Sequence, residues 1–99
     1  MAKYSLTNKA VDDLSEIYEY TYENWSEFQA DKYYEELIDF CQMLAEKPKV
    51  GRNYEKIDFD FFGFLANKHI IFYKILNSQE IEVERILGAD TDLKNKINV

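Results

Sequence analysis

The stretch that decides the fold is HIIFYKILNSQEIEVERIL, residues 69–87, in which two apolar runs flank a polar break. Isoleucine, valine, phenylalanine and tyrosine, which favour strands, recur in both runs. The break at Asn77–Glu80 has the polar composition of a turn between adjacent strands. The stretch therefore predicts a β-hairpin with strands at His69–Leu76 and Ile81–Leu87.

Two amphipathic helices precede this hairpin in the chain. Thr7 can cap the first helix, because its hydroxyl can accept a hydrogen bond from an unpaired backbone N–H. The sequence Ser26-Glu-Phe-Gln29 has capping-box spacing and begins the second helix, which Pro48 ends. Only two or three residues connect the helices, so we expect an antiparallel helical hairpin. The apolar side of the first helix comprises Ala10, Val11, Leu14, Ile17, Tyr18, Thr21, Tyr22 and Trp25, and Asp12, Asp13, Glu16, Glu19 and Glu23 lie opposite.

Further short strands complete the predicted fold. Lys3–Leu6 alternates as an opening strand, and Asn53–Ile57 and Phe61–Ala66 are strand candidates around a turn at Asp58–Asp60. A turn at Asn67–Lys68 leads into the hairpin. The order predicts one α+β domain over the whole chain. It consists of an N-terminal strand, the helical hairpin packed on one sheet face, and a three- to four-stranded, mainly antiparallel sheet.

The net charge of −7 is unevenly distributed along the 99 residues. Residues 1–46 hold 11 acidic and three basic side chains, whereas residues 47–99 hold eight acidic and nine basic. An acidic chain is poorly suited to nucleic acid, because binding to phosphates depends on Lys and Arg. The acidic half is either a solvated helical surface or a surface for a basic partner. No apolar run approaches the roughly 20 residues of a membrane span, so we expect a cytoplasmic protein.

Arg85 and His69 are the residues most open to a functional interpretation. Strand alternation places Arg85 on the face of Ile81, Val83 and Leu87. There it either pairs with a helix carboxylate, reaches solvent, or is held for a partner or a phosphate. His69, the only histidine, is either a structural residue at a strand end or an acid–base group. The second role would need another catalytic residue beside it.

The rest of the sequence lacks the motifs of an enzyme. No His or Cys pair has metal-ligand spacing, and there is no glycine-rich phosphate loop or serine-centred elbow. The single cysteine excludes an internal disulfide. We therefore predict no catalytic residues, no metal and no cofactor. The basic segment KPKVGR, residues 47–52, either contacts phosphate or an acidic partner, or simply follows the end of a helix.

Aromatic residues are concentrated around the junction of the two helices, where seven of the 17 residues from Tyr18 to Tyr34 are aromatic. Most of them lie on the apolar sides of the helices, which predicts packing in the core. Tyr20, Phe28 and Met43 fall outside those sides, and exposed aromatic and Met side chains are favoured at protein–protein contacts. The junction is therefore either core or a surface for a partner protein.

The order and spacing of these motifs extend over nearly the whole chain. They comprise Leu6, Ala10, Asp13, Leu14, Ile17, Tyr20 and Thr21, then Trp25, Ala30, Leu44, Pro48, Gly51 and Arg52, and finally His69, Ile71, Phe72, Tyr73, Lys74, Ile81, Val83, Arg85, Ile86 and Leu87, with Asp92-Leu93 behind. In this arrangement the sequence resembles the ParE branch of the RelE/ParE toxin superfamily.

The resemblance implies the toxin of a type II toxin–antitoxin pair, held in a hetero-oligomer by a small ParD-like antitoxin whose C-terminal segment wraps around it. ParE-branch members poison DNA gyrase by binding, whereas RelE-branch members cleave mRNA in the ribosome, using basic residues and a His or Tyr. Here Gly88 stands where relatives usually carry His, and the tail after it is less basic than usual. These departures argue against ribonuclease activity, and the absence of His at position 88 favours a toxin that acts by binding; the resemblance makes gyrase the expected target. The alternatives are a RelE-like mRNA endonuclease and a non-toxic relative that binds only the antitoxin.

Two groups of residues are expected to contact the partners that the resemblance implies. The candidates for target binding are Arg52, His69, Tyr73, Arg85, Asp92, Leu93, Lys94 and Lys96. The candidates for antitoxin binding are Glu16, Tyr18, Tyr20, Tyr22, Glu23, Trp25 and Phe28. We expect no membrane association and no sequence-specific binding of nucleic acid.

Overall fold

In the computed structural model of the chain, which describes residues 2–58 and 60–89, a helical hairpin packs on one face of a sheet. The elements are β1 (Lys3–Leu6), α1 (Asn8–Asn24), α2 (Glu27–Glu46), a 3₁₀ turn (Pro48–Val50), β2 (Arg52–Asn53), β3 (Phe61–Ala66), β4 (His69–Asn77) and β5 (Glu80–Gly88). None of the helices in the described ranges is long and apolar enough to cross a membrane.

The strand order in the sheet is β1-β5-β4-β3-β2. β1 runs parallel to β5, and the other neighbouring strands are antiparallel. The predicted α+β class, the helical hairpin and the mainly antiparallel sheet are confirmed. The sheet has five strands, more than expected, because the N-terminal strand joins it beside the last strand of the hairpin.

Side-chain caps begin both helices, as the sequence predicts. The Thr7 hydroxyl accepts a hydrogen bond from the backbone N–H of Ala10 at 3.1 Å. The same hydroxyl donates to the carbonyl of Glu84 at 2.8 Å, which fixes the start of α1 to β5. Ser26 Oγ accepts from the backbone N–H of Gln29 at 3.0 Å. These bonds satisfy N–H groups that the first turn of a helix leaves unpaired.

The prediction of a strand at Asn53–Ile57 is wrong, because only Arg52–Asn53 pairs with β3. Residues 54–58 (the outer loop) turn back instead, and the N–H of Ile57 donates to the carbonyl of Tyr54 at 2.8 Å. This turn packs the loop on an apolar cluster at the sheet face away from the helices. The members of this outer cluster are Phe61, Phe72 and Leu87, with Tyr54, Ile57 and Ile70 packed against them.

A β-bulge in β5 interrupts the alternation of its side chains. Val83 and Arg85 pair with successive residues of β4, so Glu84 between them is the extra residue of the bulge. Beyond it, Ile86 lies in the main core with Val83, whereas Leu87 joins the outer cluster. The predicted common face of Val83, Arg85 and Leu87 is therefore wrong, because an extra residue turns the following side chains to the other face.

Replacing Gly51 with alanine is expected to destabilise the fold by about 1–3 kcal/mol. A Cβ at this position would lie 2.5 Å from the hydroxyl oxygen of Tyr73 and 3.0 Å from the carbonyl oxygen of Gly63. Tyr73 is completely buried and its hydroxyl donates to the Pro48 carbonyl at 2.6 Å, so the ring has no room to move aside. Urea denaturation should show a lower free energy of unfolding than for Val50→Ala, a change at an exposed neighbour. Equal stability of the two variants would contradict this close packing.

Candidate functional site

The end of the helical hairpin projects beyond the part that packs on the sheet. Every residue in 22–29 is exposed, and Trp25 and Phe28 expose 70% and 76% of their surface. The prediction that Tyr22 and Trp25 pack in the core is wrong, because the apolar stripe of α1 continues past the elements that cover it. Large aromatic rings left in solvent together indicate a contact surface.

A groove of about 750 Å³ adjoins this projecting end of the hairpin. Its walls come from α1, the helix junction, α2, the turn between β3 and β4, and the end of β5. Aromatic, aliphatic and charged side chains line it. Among them are Glu16, Ile17, Tyr20, Trp25, Tyr33, Glu36 and Lys68. This volume is within the range of pockets that hold a ligand or a few side chains of a partner.

An ion pair between Asp13 of α1 and Arg85 of β5 lies in this groove. Arg85 Nε donates to Asp13 Oδ2 at 2.8 Å, and Arg85 Nη2 donates to Oδ1 at 3.0 Å. The backbone N–H of Ile86 also donates to Asp13 Oδ2, at 2.9 Å. The hydrogen bond to Asp13 raises the pKa of Arg85. Pairing of Arg85 with a helix carboxylate is confirmed, whereas placing Asp13 on the solvated side of α1 is wrong, because this carboxylate is buried.

Tyr33 and His69 join α2 to the turn between β3 and β4. The Tyr33 hydroxyl oxygen lies 2.6 Å from His69 Nδ1 and accepts a hydrogen bond of 3.3 Å from the backbone N–H of Lys68. Either atom can donate in the bond between Tyr33 and His69, depending on the tautomer of the ring. Burial raises the pKa of Tyr33. These contacts favour the structural interpretation of His69.

The structure separates the candidates for target binding. His69 and Arg85 line the groove, whereas the guanidinium of Arg52 in β2 lies 5.4 Å from the ring centre of Tyr54. The choice of Tyr73 as a contact residue is wrong, because its side chain is completely buried in the core. Four further candidates lie outside the described residues: Asp92, Leu93, Lys94 and Lys96.

Six of the seven candidates for antitoxin binding lie at the groove or the projecting end. Glu16, Tyr20 and Trp25 line the groove, and Tyr22, Glu23 and Phe28 are exposed at the projecting end. Helical periodicity had assigned several of these residues to different sides of α1. The structure brings them to one region, because all sides of the helices are exposed at the end of the hairpin.

Two of the candidates, Tyr18 and Tyr22, do not line the groove. Tyr18 donates to Asp31 Oδ1 at 2.7 Å, and this bond raises the pKa of Tyr18 to about 12. Its ring packs against Tyr22 and edge-on against Tyr34, with centroids 6.4 and 6.2 Å apart. These contacts pack α1 against α2.

Sequence reasoning missed the groove residues that α2 and the turn between β3 and β4 supply. Tyr33 lies on the apolar side of α2 in the sequence, and Glu36 and Lys68 carry no local signal of a common site. Glu36 Oε1 accepts a hydrogen bond of 3.2 Å from the side chain of Asn67, whose φ of 59° forms the turn. The residues Asn67–Lys68 predict the turn itself. Its approach to α2 depends on how the helical hairpin packs on the sheet, which the sequence does not show.

Comparison with known proteins shows matches along most of the chain. Residues 4–93 match the family described as ParE toxin of type II toxin-antitoxin system, parDE. The chain is 29% identical over 96 residues to Toxin ParE1 of Mycobacterium tuberculosis, covering 97% of this chain and 98% of that protein. It is 30% identical over 87 residues to Toxin ParE1 of Caulobacter vibrioides, covering 88% of each chain.

The fold also has a counterpart among solved structures. A chain of the chromosomal ParDE TA system from P. aeruginosa superimposes with a TM-score of 0.77 at 19% identity, over 91% of this chain and 98% of that one. The α+β fold and the sequence matches together define the class as toxins of type II toxin–antitoxin systems. Within that class, the chain belongs to the ParE toxin family.

Proposed function

We propose that the chain arrests growth by inhibiting DNA gyrase in the cytoplasm, and that a ParD-like antitoxin neutralises it by occupying the groove. Membership of the ParE family supports the gyrase target. The observation that carries the antitoxin site is Trp25, which exposes 70% of its surface at the rim of a groove. A tryptophan in this setting is typical of a residue that a partner covers. The resulting complex is a hetero-oligomer.

The groove favours an antitoxin segment that combines apolar and basic side chains. Tyr20 and Trp25 offer apolar area, and Glu16 adds a negative charge in the same groove. Asp13 contributes little further negative charge, because Arg85 neutralises it. A Lys or Arg placed near Glu16, beside an aliphatic or aromatic residue, would complement both the charge and the shape.

We propose action by binding rather than by turnover. Arg85 holds Asp13 through two hydrogen bonds, so its guanidinium is already committed within the fold. Position 88 is glycine, and His69 bonds to Tyr33 within the groove wall. The net charge of −7 also suits a ribosomal RNA surface poorly. These observations favour gyrase binding over cleavage of mRNA.

Supercoiling and DNA-cleavage assays with purified gyrase test this target. The chain is expected to inhibit supercoiling and to trap a cleavage complex, and an equimolar cognate antitoxin is expected to abolish both effects. No inhibition and no trapped complex at high excess of the chain would overturn the proposal. Mapping of transcript ends after induction distinguishes the alternatives, since cuts within codons indicate an endonuclease. Normal growth without antitoxin would indicate a non-toxic relative.

A further inference from the structure

Glu84, the extra residue of the β5 bulge, has a carboxyl oxygen that is buried without a partner. Oε2 of Glu84 accepts no hydrogen bond from any of the residues that the structure describes. Burying this oxygen without a hydrogen bond costs much free energy when the carboxylate is ionised, and much less when the carboxyl group is neutral. Glu82, two residues earlier in the strand, hydrogen-bonds to Glu84 and repels its negative charge. This geometry suits two carboxyl groups that share one proton.

The charged groups that face this pair come from β4 and from the outer loop. Lys74 of β4 lies directly across the ladder from Glu82. Lys74 Nζ is 2.8 Å from Oδ2 of Asp58 in the outer loop. On the opposite side, β1 places Ser5, which carries no charge, across from Glu82. Asp58 and the two glutamates therefore all attract the same ammonium group.

The contact between Lys74 and Asp58 holds the outer loop against the outer cluster. Tyr54, at the start of this loop, packs edge-on against Phe72 and Phe61, with ring centroids 5.7 and 6.5 Å apart. The loop is short, and the backbone hydrogen bonds from Tyr54 N–H to the Phe61 carbonyl and from Ile57 N–H to the Tyr54 carbonyl also anchor it. A change at Lys74 can therefore alter how firmly the loop covers the cluster.

We propose that Glu82 and Glu84 form a proton-controlled latch for the outer loop. While the pair holds its shared proton, Lys74 binds Asp58 and the loop stays closed over the outer cluster. When the proton is lost, two negative charges stand beside Lys74. The ammonium group then moves from Asp58 toward Glu84, and the loop is released. The latch does not depend on the gyrase target or on the antitoxin groove.

The pKa of Glu84 is consistent with this latch. Burial, followed by the hydrogen bond and the charge of Glu82, raises the pKa of Glu84 from 4.5 to about 7. The folded protein thus holds this proton more tightly than the unfolded chain. Its contribution to stability is fully present below pH 4.5 and is lost as the pH rises through about 7. The loop is therefore expected to open between mildly acidic and mildly basic pH.

Amide hydrogen exchange, measured by NMR at about pH 5.5 and about pH 8.5, tests the latch. The amides of Tyr54 and Ile57 are the probes, because they donate the 2.8 Å hydrogen bonds that hold the loop. After correction for intrinsic exchange rates, their protection factors are expected to fall about tenfold in the wild type at the higher pH. Glu84→Gln, which remains neutral, should keep the protection at both pH values, and Lys74→Met should lose it at both.

Glu80→Gln is the matched control, because Glu80 lies in the same strand but across from Lys3 rather than Lys74. This variant should keep the pH dependence of the wild type. Equal wild-type protection at both pH values, or an undiminished fall in Glu84→Gln, would overturn the latch. Direct ¹³C titration of the Glu84 carboxyl in the wild type needs no variant to fold. A midpoint near 7 supports the latch, and a midpoint near 4.5 overturns it.

Discussion

Replacing Asp13 with alanine is expected to lower the free energy of unfolding by about 3–5 kcal/mol. The Asp13 carboxylate is buried and accepts two hydrogen bonds from the Arg85 guanidinium and one from the backbone N–H of Ile86. Alanine removes all three acceptor contacts at once, and removing one member of a buried pair costs more than removing both. Because a small domain is stable by only about 5–15 kcal/mol, the variant should populate the unfolded state measurably.

Urea denaturation followed by circular dichroism measures this loss. Asp12→Ala is the matched control, because Asp12 is an exposed neighbour in the same helix, and its effect should stay within about 0.5 kcal/mol. A double variant, Asp13→Leu with Arg85→Met, removes both charges together and should be more stable than Asp13→Ala. A loss below about 1 kcal/mol in Asp13→Ala would show that the pair contributes little to the fold.

Replacing Trp25 with alanine is expected to weaken antitoxin binding by about 30-fold or more while leaving the fold intact. Trp25 exposes 70% of its surface, so few of its contacts lie within the chain and its loss should change the stability little. The same exposed area becomes buried if the antitoxin fills the groove, and tryptophans in such positions supply much of the binding free energy. Isothermal titration calorimetry with the cognate antitoxin measures the change in affinity.

A control variant and a fluorescence measurement make this test specific. Leu76→Ala is the control, because Leu76 is also half exposed but lies outside the groove lining, and its affinity should match the wild type. Trp25 is the only tryptophan, so its fluorescence should shift to shorter wavelength when the antitoxin buries it. Unchanged affinity in Trp25→Ala, together with an unshifted spectrum in the wild type, would place the antitoxin elsewhere. Gyrase inhibition would remain a separate question, which the supercoiling assay answers.

The helices and the β-hairpin were predictable because local rules decide them. Thr7 and Ser26 begin the helices by accepting hydrogen bonds from the backbone N–H groups three residues later, so these helix starts carry a local signal. The strands predicted at His69–Leu76 and Ile81–Leu87 agree with β4 and β5 to within one residue at each end, because apolar and β-branched residues dominate both runs.

The candidate site was predictable only in part. Tyr20 and Trp25 were chosen from an unusual density of aromatic residues, and both line the groove. Tyr33 joins the groove because the turn between β3 and β4 approaches α2. No local feature of the sequence predicts this approach. The bulge at Glu84 was also invisible, because counting alternate residues assumes that every residue of a strand has a partner.

The sequence by itself determined the two helices with their caps and the two strands of the β-hairpin, and its motifs pointed to the ParE family. Only the tertiary structure decided that Asp13 is buried and that Trp25 is exposed. The physical reason is that helical periodicity shows which residues share a side, whereas burial depends on where the neighbouring elements begin and end. β5 passes beside Asp13 and supplies Arg85 to its carboxylate, but no described element covers Trp25 at the far end of the same helix.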